Sequence, residues 1–284
     1  MIPKLAINRT VSPFRDLTSF LAVARGAGVQ GVEIRNDVEG QEFANGLAPR
    51  ELASRVAEAR LTIASINALQ RFNDWNAERA REARFLIEYA ATCGAPAIVL
   101  CPVVDERDGR SPLQLEADLR RSLLALKPVL ADNGVIGLVE PLGMPASTLK
   151  FKGPAVAAIE DVDGLGRLAL CHDTFQHFRC GDQALYPQHT RLVHVSGISR
   201  RDLPPERLRE PDRGFVGPDD IAGNVEQVIA FLGAGYDGFI SFEPFDPVLQ
   251  AHPDPGPALA ESIRYLNSAV MNMGAGNPVT AASP

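Results

Sequence analysis

Glu140, Asp173, His194 and Glu243 each stand at the end of an apolar run: GLVE, LALCHD, RLVH and FISFE. Such runs are buried in a folded chain, and an unpaired charge at the end of one is costly. A divalent cation bound by all four would remove that cost. Three carboxylates and one imidazole form a mixed oxygen and nitrogen donor set. It suits Mn²⁺, Zn²⁺, Co²⁺ or Mg²⁺, not a soft-metal thiolate centre. Pro141 and Pro244 follow the two glutamates and end their runs there by removing a backbone donor. One strand-end acid alone would read as a loop cap or an ion-pair partner. Four on consecutive runs read as one centre.

The elements that must position these residues follow from the alternation along the chain. Eight short runs rich in β-branched residues, at 4–10, 31–35, 62–67, 97–102, 135–142, 168–175, 191–198 and 239–245, are separated by longer amphipathic stretches. The stretches at 12–28, 48–60, 76–94, 111–134, 153–162, 217–235 and 254–270 predict helices. Segment 176–190 is short and only weakly helical. Ser111-Pro112 and Asn133-Gly134 mark a helix start and a helix end. Parallel strands need crossover connections, and helices supply them. An open doubly wound sheet would show a glycine-rich turn after its first strand. VSPFRD stands there instead, so the expectation is a closed (β/α)₈ TIM barrel. The four residues then sit where barrel chemistry is done, at the C-terminal ends of adjacent strands.

A chain of 284 residues with 45% hydrophobic and 22% charged residues forms one barrel without a second domain. The expected domain spans 1–272, and MGAGNPVTAASP at 273–284 reads as a disordered tail. A net charge of −7 argues against nucleic acid as partner. The cysteines Cys93, Cys101, Cys171 and Cys180 include no C-x-x-C pair and are expected as reduced core thiols. No signal peptide and no membrane span is evident, so the expected location is cytoplasmic. Without a Walker or dinucleotide fingerprint, no nucleotide cofactor is expected. The expected partners are a small polyol or ketose substrate and, in a homo-oligomer, further copies of the chain.

Other residues have roles at such a site within reach. Glu33 and Arg35 alternate along the second run and face one side, where they could pair or touch substrate hydroxyls. A buried structural ion pair is the competing reading. Asn67 ends the third run and offers an amide to a hydroxyl, or simply forms a turn. Phe72, Trp75 and Phe245 either wall the pocket or pack in the core. His172 precedes Asp173, so strand alternation points it away from the barrel centre.

The stretches GVEIRND, SINALQRFND, GLVEPLG, HDTFQHF, LVHVSGI and SFEPF resemble the xylose isomerase-like, endonuclease IV-like barrel family of sugar isomerases and epimerases, and within it the inosose isomerases. The resemblance implies one divalent metal held by Glu140, Asp173, His194 and Glu243. It also implies that Glu140 and Glu243 are the acid/base pair that shifts a proton through an enediolate, on 2-keto-myo-inositol or a related ketose. Family members often carry a histidine three residues after the strand-six Asp. Here that position is Gln176, with His177 beside it as a substitute substrate ligand. The resemblance also points to Arg200 as substrate-binding, and to a loop with Arg213 and Gly217 in an Arg-x-x-x-Gly pattern. On the same scaffold a lyase such as inosose or 3-dehydroshikimate dehydratase is the alternative, and a non-catalytic sugar- or metal-binding barrel a more distant one. Five histidines are too few for the three-metal endonuclease chemistry.

Overall fold

Residues 3–274 are described by the computed structural model of the chain. Eight parallel strands pair in chain order: β1 (Lys4–Asn8), β2 (Gly31–Arg35), β3 (Thr62–Leu69), β4 (Ala97–Leu100), β5 (Ile136–Val139), β6 (Leu168–Asp173), β7 (Thr190–Val195) and β8 (Phe239–Phe242). The wall closes where β8 pairs with β1, Ile240 opposite Leu5 and Phe242 opposite Ile7. The fold is therefore the expected closed barrel, and this pairing excludes the open sheet. Helices α1 (Leu17–Ala27), α2 (Pro49–Glu58), α3 (Ala77–Cys93), α4 (Pro112–Asn133), α5 (Lys152–Asp161), α6 (Thr174–Cys180), α7 (Asn224–Gly233), α8 (Pro247–Gln250) and α9 (Gly256–Gly274) connect and cover the strands. The tail expected at 273–284 lies, from residue 275 on, outside the described residues.

Local chemistry explains the boundaries. The Ser111 hydroxyl accepts from the Gln114 amide and the Gln114 side chain accepts from Ser111 N–H, so α4 starts on a capping box. It stops at Gly134, whose φ of 67° is left-handed. The stretch 217–235 becomes helical only from Asn224, seven residues later than its pattern predicts. Asp220 is the reason. Its carboxylate accepts from the backbone N–H of Ile198, Ala222 and Asn224 at 2.8, 3.1 and 3.0 Å. That side-chain competition holds the segment as a loop against the end of β7.

Alternation along the strands splits the core in two. Val32, Ile34, Val193, Val195 and Phe242 face outward and pack with Phe20, Leu52, Leu86, Leu123, Ile159 and Phe231 of the helices. Inward, Ala97, Val99, Cys101, Leu138, Ala169, Cys171 and Leu192 fill the barrel. The cysteines are all free, as expected; Cys93, Cys101 and Cys171 are buried and Cys180 is half-buried. Among the described residues no helix is long and apolar enough to cross a membrane.

Candidate functional site

Register sets the height of each acid. Asp173 is the last residue of β6 and lies opposite His194 of β7, which in turn lies opposite Ser241 of β8. Glu140 and Glu243 are the first residues beyond β5 and β8. Their backbone N–H groups extend the ladders to Leu100 and Val195 carbonyls at 3.1 and 3.0 Å. The four side chains therefore converge over the apolar fill. One ligand atom from each of Glu140, Asp173, His194 and Glu243 lies within 4.8 Å of all the others, and all four residues are buried. His194 Nδ1 is 2.9 Å from Glu140 Oε1 and 3.2 Å from Glu243 Oε2.

Two buried arginines close the cluster. Arg213 reaches Asp173 Oδ2 at 2.6 Å, Glu243 Oε2 at 2.9 Å and Glu210 at 2.5 Å, and its Nε donates to Ser196 at 2.9 Å. Its guanidinium lies over the rings of Phe175 and Phe245. Arg35 donates to Glu243 Oε1 at 3.0 Å. Asn8 and Asn67 add amides to the same oxygen at 3.1 and 3.4 Å. Glu140 is less crowded. Besides His194 it meets the thiols of Cys101 and Cys171, at 3.4 and 3.8 Å.

The charges are strongly coupled. Burial pushes the Asp173 carboxyl up to about 7, aided by Glu140 and Glu243 and opposed by Arg213. Burial would also push Glu243 up, but His194 and the two arginines overturn this and hold it well below the usual carboxylate range. At His194 burial disfavours the imidazolium, yet the surrounding acids raise its pKa well above the ordinary value. The Cys171 thiol is itself pushed well up by burial, so it is neutral near pH 7 and the carboxylates Glu243, Glu33 and Glu140 do the holding. Four buried carboxylates thus face two arginines and one imidazole that must stay protonated. A divalent cation in place of those protons suits both the donor types and the surplus negative charge.

The other residues singled out from the sequence fall differently. Glu33 and Arg35 do face the interior, but they do not pair with each other. Arg35 turns to Glu243 and Asp37, and Glu33 to His194. Asn67 reaches Glu243. His177 is not brought to the cluster. It sits on the outer side of the wall, with Nδ1 2.7 Å from Lys152 Nζ and its ring 5.1 Å from that of the outward-facing His172. There it lines a surface cavity of about 500 Å³ with Phe178, Asp182 and Gln227. Gln176 takes the inward place. It accepts from Gly143 N–H at 2.9 Å and donates to Glu210 at 2.9 Å. Arg200 is also elsewhere, its exposed side chain paired with Asp202 and Asp212. Phe72 is core and Trp75 packs against it.

Of the two buried guanidinium groups at this centre, Arg213 is the one whose place in a polar loop gives no sign of burial. Its loop is held by Gly197, just beyond β7, which exchanges N–H to O=C bonds of 2.9 Å with Gly214 in both directions. A Cβ on Gly197 would come within 2.2 Å of the Phe215 carbonyl oxygen, so only glycine allows this approach. A glycine directly after VHVS was the available signal.

A family model described as a xylose isomerase-like TIM barrel matches residues 21–269. No curated protein matches the chain. Among solved structures, a xylose isomerase domain containing protein from Salmonella typhimurium LT2 is similar at 26% identity and a TM-score of 0.81, over 96% of this chain and 98% of that one. The IolI protein, solved with a bound zinc atom, is similar at 20% identity and 0.82, over 95% and 98%. L-ribulose 3-epimerase is similar at 20% identity and 0.69, over the whole of both chains.

Proposed function

We propose, from the premise that the chain belongs to the xylose isomerase-like TIM barrel family, that it is a divalent-metal-dependent isomerase or epimerase of a small polyol-derived ketone. 2-Keto-myo-inositol is the first substrate to test. The observation that carries this reading is the convergence of Glu140, Asp173, His194 and Glu243 within 4.8 Å of one another. The zinc in the IolI structure and the epimerase named among the similar structures support it.

In this reading Glu140, Asp173, His194 and Glu243 hold the ion. When bound it would polarise a ketone and a neighbouring hydroxyl and stabilise the negative charge that forms as a proton leaves carbon. The chain's own residues do the rest. Glu140 and Glu243 reach the site from β5 and β8, and one takes the proton from the carbon between carbonyl and hydroxyl. Return to the other face of that carbon epimerises it. Return to the neighbouring carbon, with the hydroxyl proton passing the same way to the former carbonyl oxygen, transposes the ketone. Arg213 and Arg35 keep Glu243 ionised and oriented, and Phe245 walls the space beside them.

The test is to strip the protein with chelator, reload it with Mn²⁺, Co²⁺, Zn²⁺ or Mg²⁺ in turn, and follow 2-keto-myo-inositol in D₂O by NMR. Deuterium beside the carbonyl with a rearranged inosose is the expected result, and it should vanish on chelation. An unsaturated product would move the protein to the dehydratases. One bound equivalent of metal with no exchange on any of a panel of ketoses would sink the enzymatic reading.

A further inference from the structure

Glu33 is the one carboxylate of the buried cluster that comes from the first half of the barrel. It is fully buried, and its two carboxylate oxygens, Oε1 and Oε2, lie 3.1 and 3.2 Å from His194 Nε2. The Ser65 hydroxyl donates to Oε2 at 2.5 Å and the Asn8 amide to Oε1 at 3.3 Å. Both supports are built into the wall. Asn8 is Glu33's partner on β1, and a register shift between β2 and β3 brings Ser65 opposite it on the other side. Arg35, two residues along, is spent on Glu243 and Asp37. His194 is thus the ionisable donor that faces this carboxylate.

The two edges of the His194 ring meet different surroundings. Nε2 faces Glu33. Nδ1 faces Glu140 and Glu243, at 2.9 and 3.2 Å. A neutral imidazole carries its proton on one nitrogen and a lone pair on the other. A carboxylate at Nε2 keeps the proton there and leaves the lone pair on Nδ1. The geometry points to Glu33 as a positioning residue for the metal centre. It fixes His194 as the Nε2–H tautomer and aims Nδ1 at the ion, in a line that runs from Ser65 and Asn8 through Glu33 and His194. The role falls to β2 in the first half of the barrel, whereas the four cluster residues come from β5 to β8. It rests on the metal centre proposed above.

Zn²⁺ titrated into the full chain against a competing chelator tests it, for the wild type, Glu33→Gln and Glu33→Ala. Long-range ¹H–¹⁵N NMR of the zinc-loaded wild type reads the tautomer directly. The expected result is a proton on Nε2 and metal on Nδ1 of His194, with affinity about 10- to 100-fold weaker in both variants. Unchanged affinity in variants that remain folded, or zinc found on Nε2, would overturn the role of Glu33 while leaving the metal centre standing. No zinc uptake by the wild type would overturn both. Should the variants fail to fold, the tautomer in the wild type decides alone.

Discussion

Glu140→Gln and Glu243→Gln are each expected to lower turnover of a ketose substrate by about 100- to 10,000-fold, the span of a lost proton-transfer group. Glutamine keeps the shape and one oxygen of each side chain but cannot accept the substrate proton. The two variants should differ in how they fail. Glu243 is gripped by Arg35, Arg213, Asn8 and Asn67, so an amide there also strands two guanidinium groups and disturbs metal uptake. Among the described residues Glu140 meets only His194 and two thiols, so Glu140→Gln should lose exchange with less change in affinity. Deuterium incorporation measured alongside bound metal, on the same samples, separates the effects. Wild-type exchange in Glu140→Gln would remove that residue from the chemistry.

Arg213→Met is expected to cost the metal-free protein about 3–5 kcal/mol of stability, as breaking one partner out of a buried ion network does. Arg213 is 2% exposed, and Asp173 and Glu243 lie on the same guanidinium nitrogen. Methionine keeps the apolar stem between Phe175 and Phe245, so the loss is one of charge rather than of packing. Denaturant unfolding measures it. Adding Asp173→Asn to Arg213→Met should recover part of the loss, because it removes one of the stranded carboxylates. Additive losses in the double variant would mean that the two residues do not act as a pair.

The three acids and the histidine of the cluster were legible because two simple rules place them: strands expose alternate residues, and barrels work at their C-terminal edge. Both rules are local or generic, and they also put Glu33 and Arg35 inside. What they do not carry is the partner. Glu33 meets His194, 161 positions away, and Arg35 meets Glu243, 208 positions away; only closure of the wall sets those pairs. The loops are harder still. Arg200 and Arg213 are both arginines in polar loops, and the difference lies in the glycine pair 197 and 214 that folds one of them inward. For His177 the error was one of helical phase. Asp173 caps α6 by accepting from Gln176 N–H at 3.0 Å, and that geometry turns Gln176 inward and His177 roughly 100° around the axis, behind the wall.

The arrangement of the wall also has a kinetic side. Asp173 and His194 end β6 and β7, and Glu140 and Glu243 follow β5 and β8. Asn8, Glu33, Arg35 and Asn67 belong to β1, β2 and β3. A folding intermediate holding the β5–β8 arc alone would have the cluster with Arg213 but without Asn8, Glu33, Arg35 and Asn67, so the full set of contacts forms only when β8 docks on β1. If that docking follows the folding transition state, these contacts act on the rate of unfolding rather than of folding. Occupancy of the centre would then lengthen the life of the closed barrel without hastening its birth.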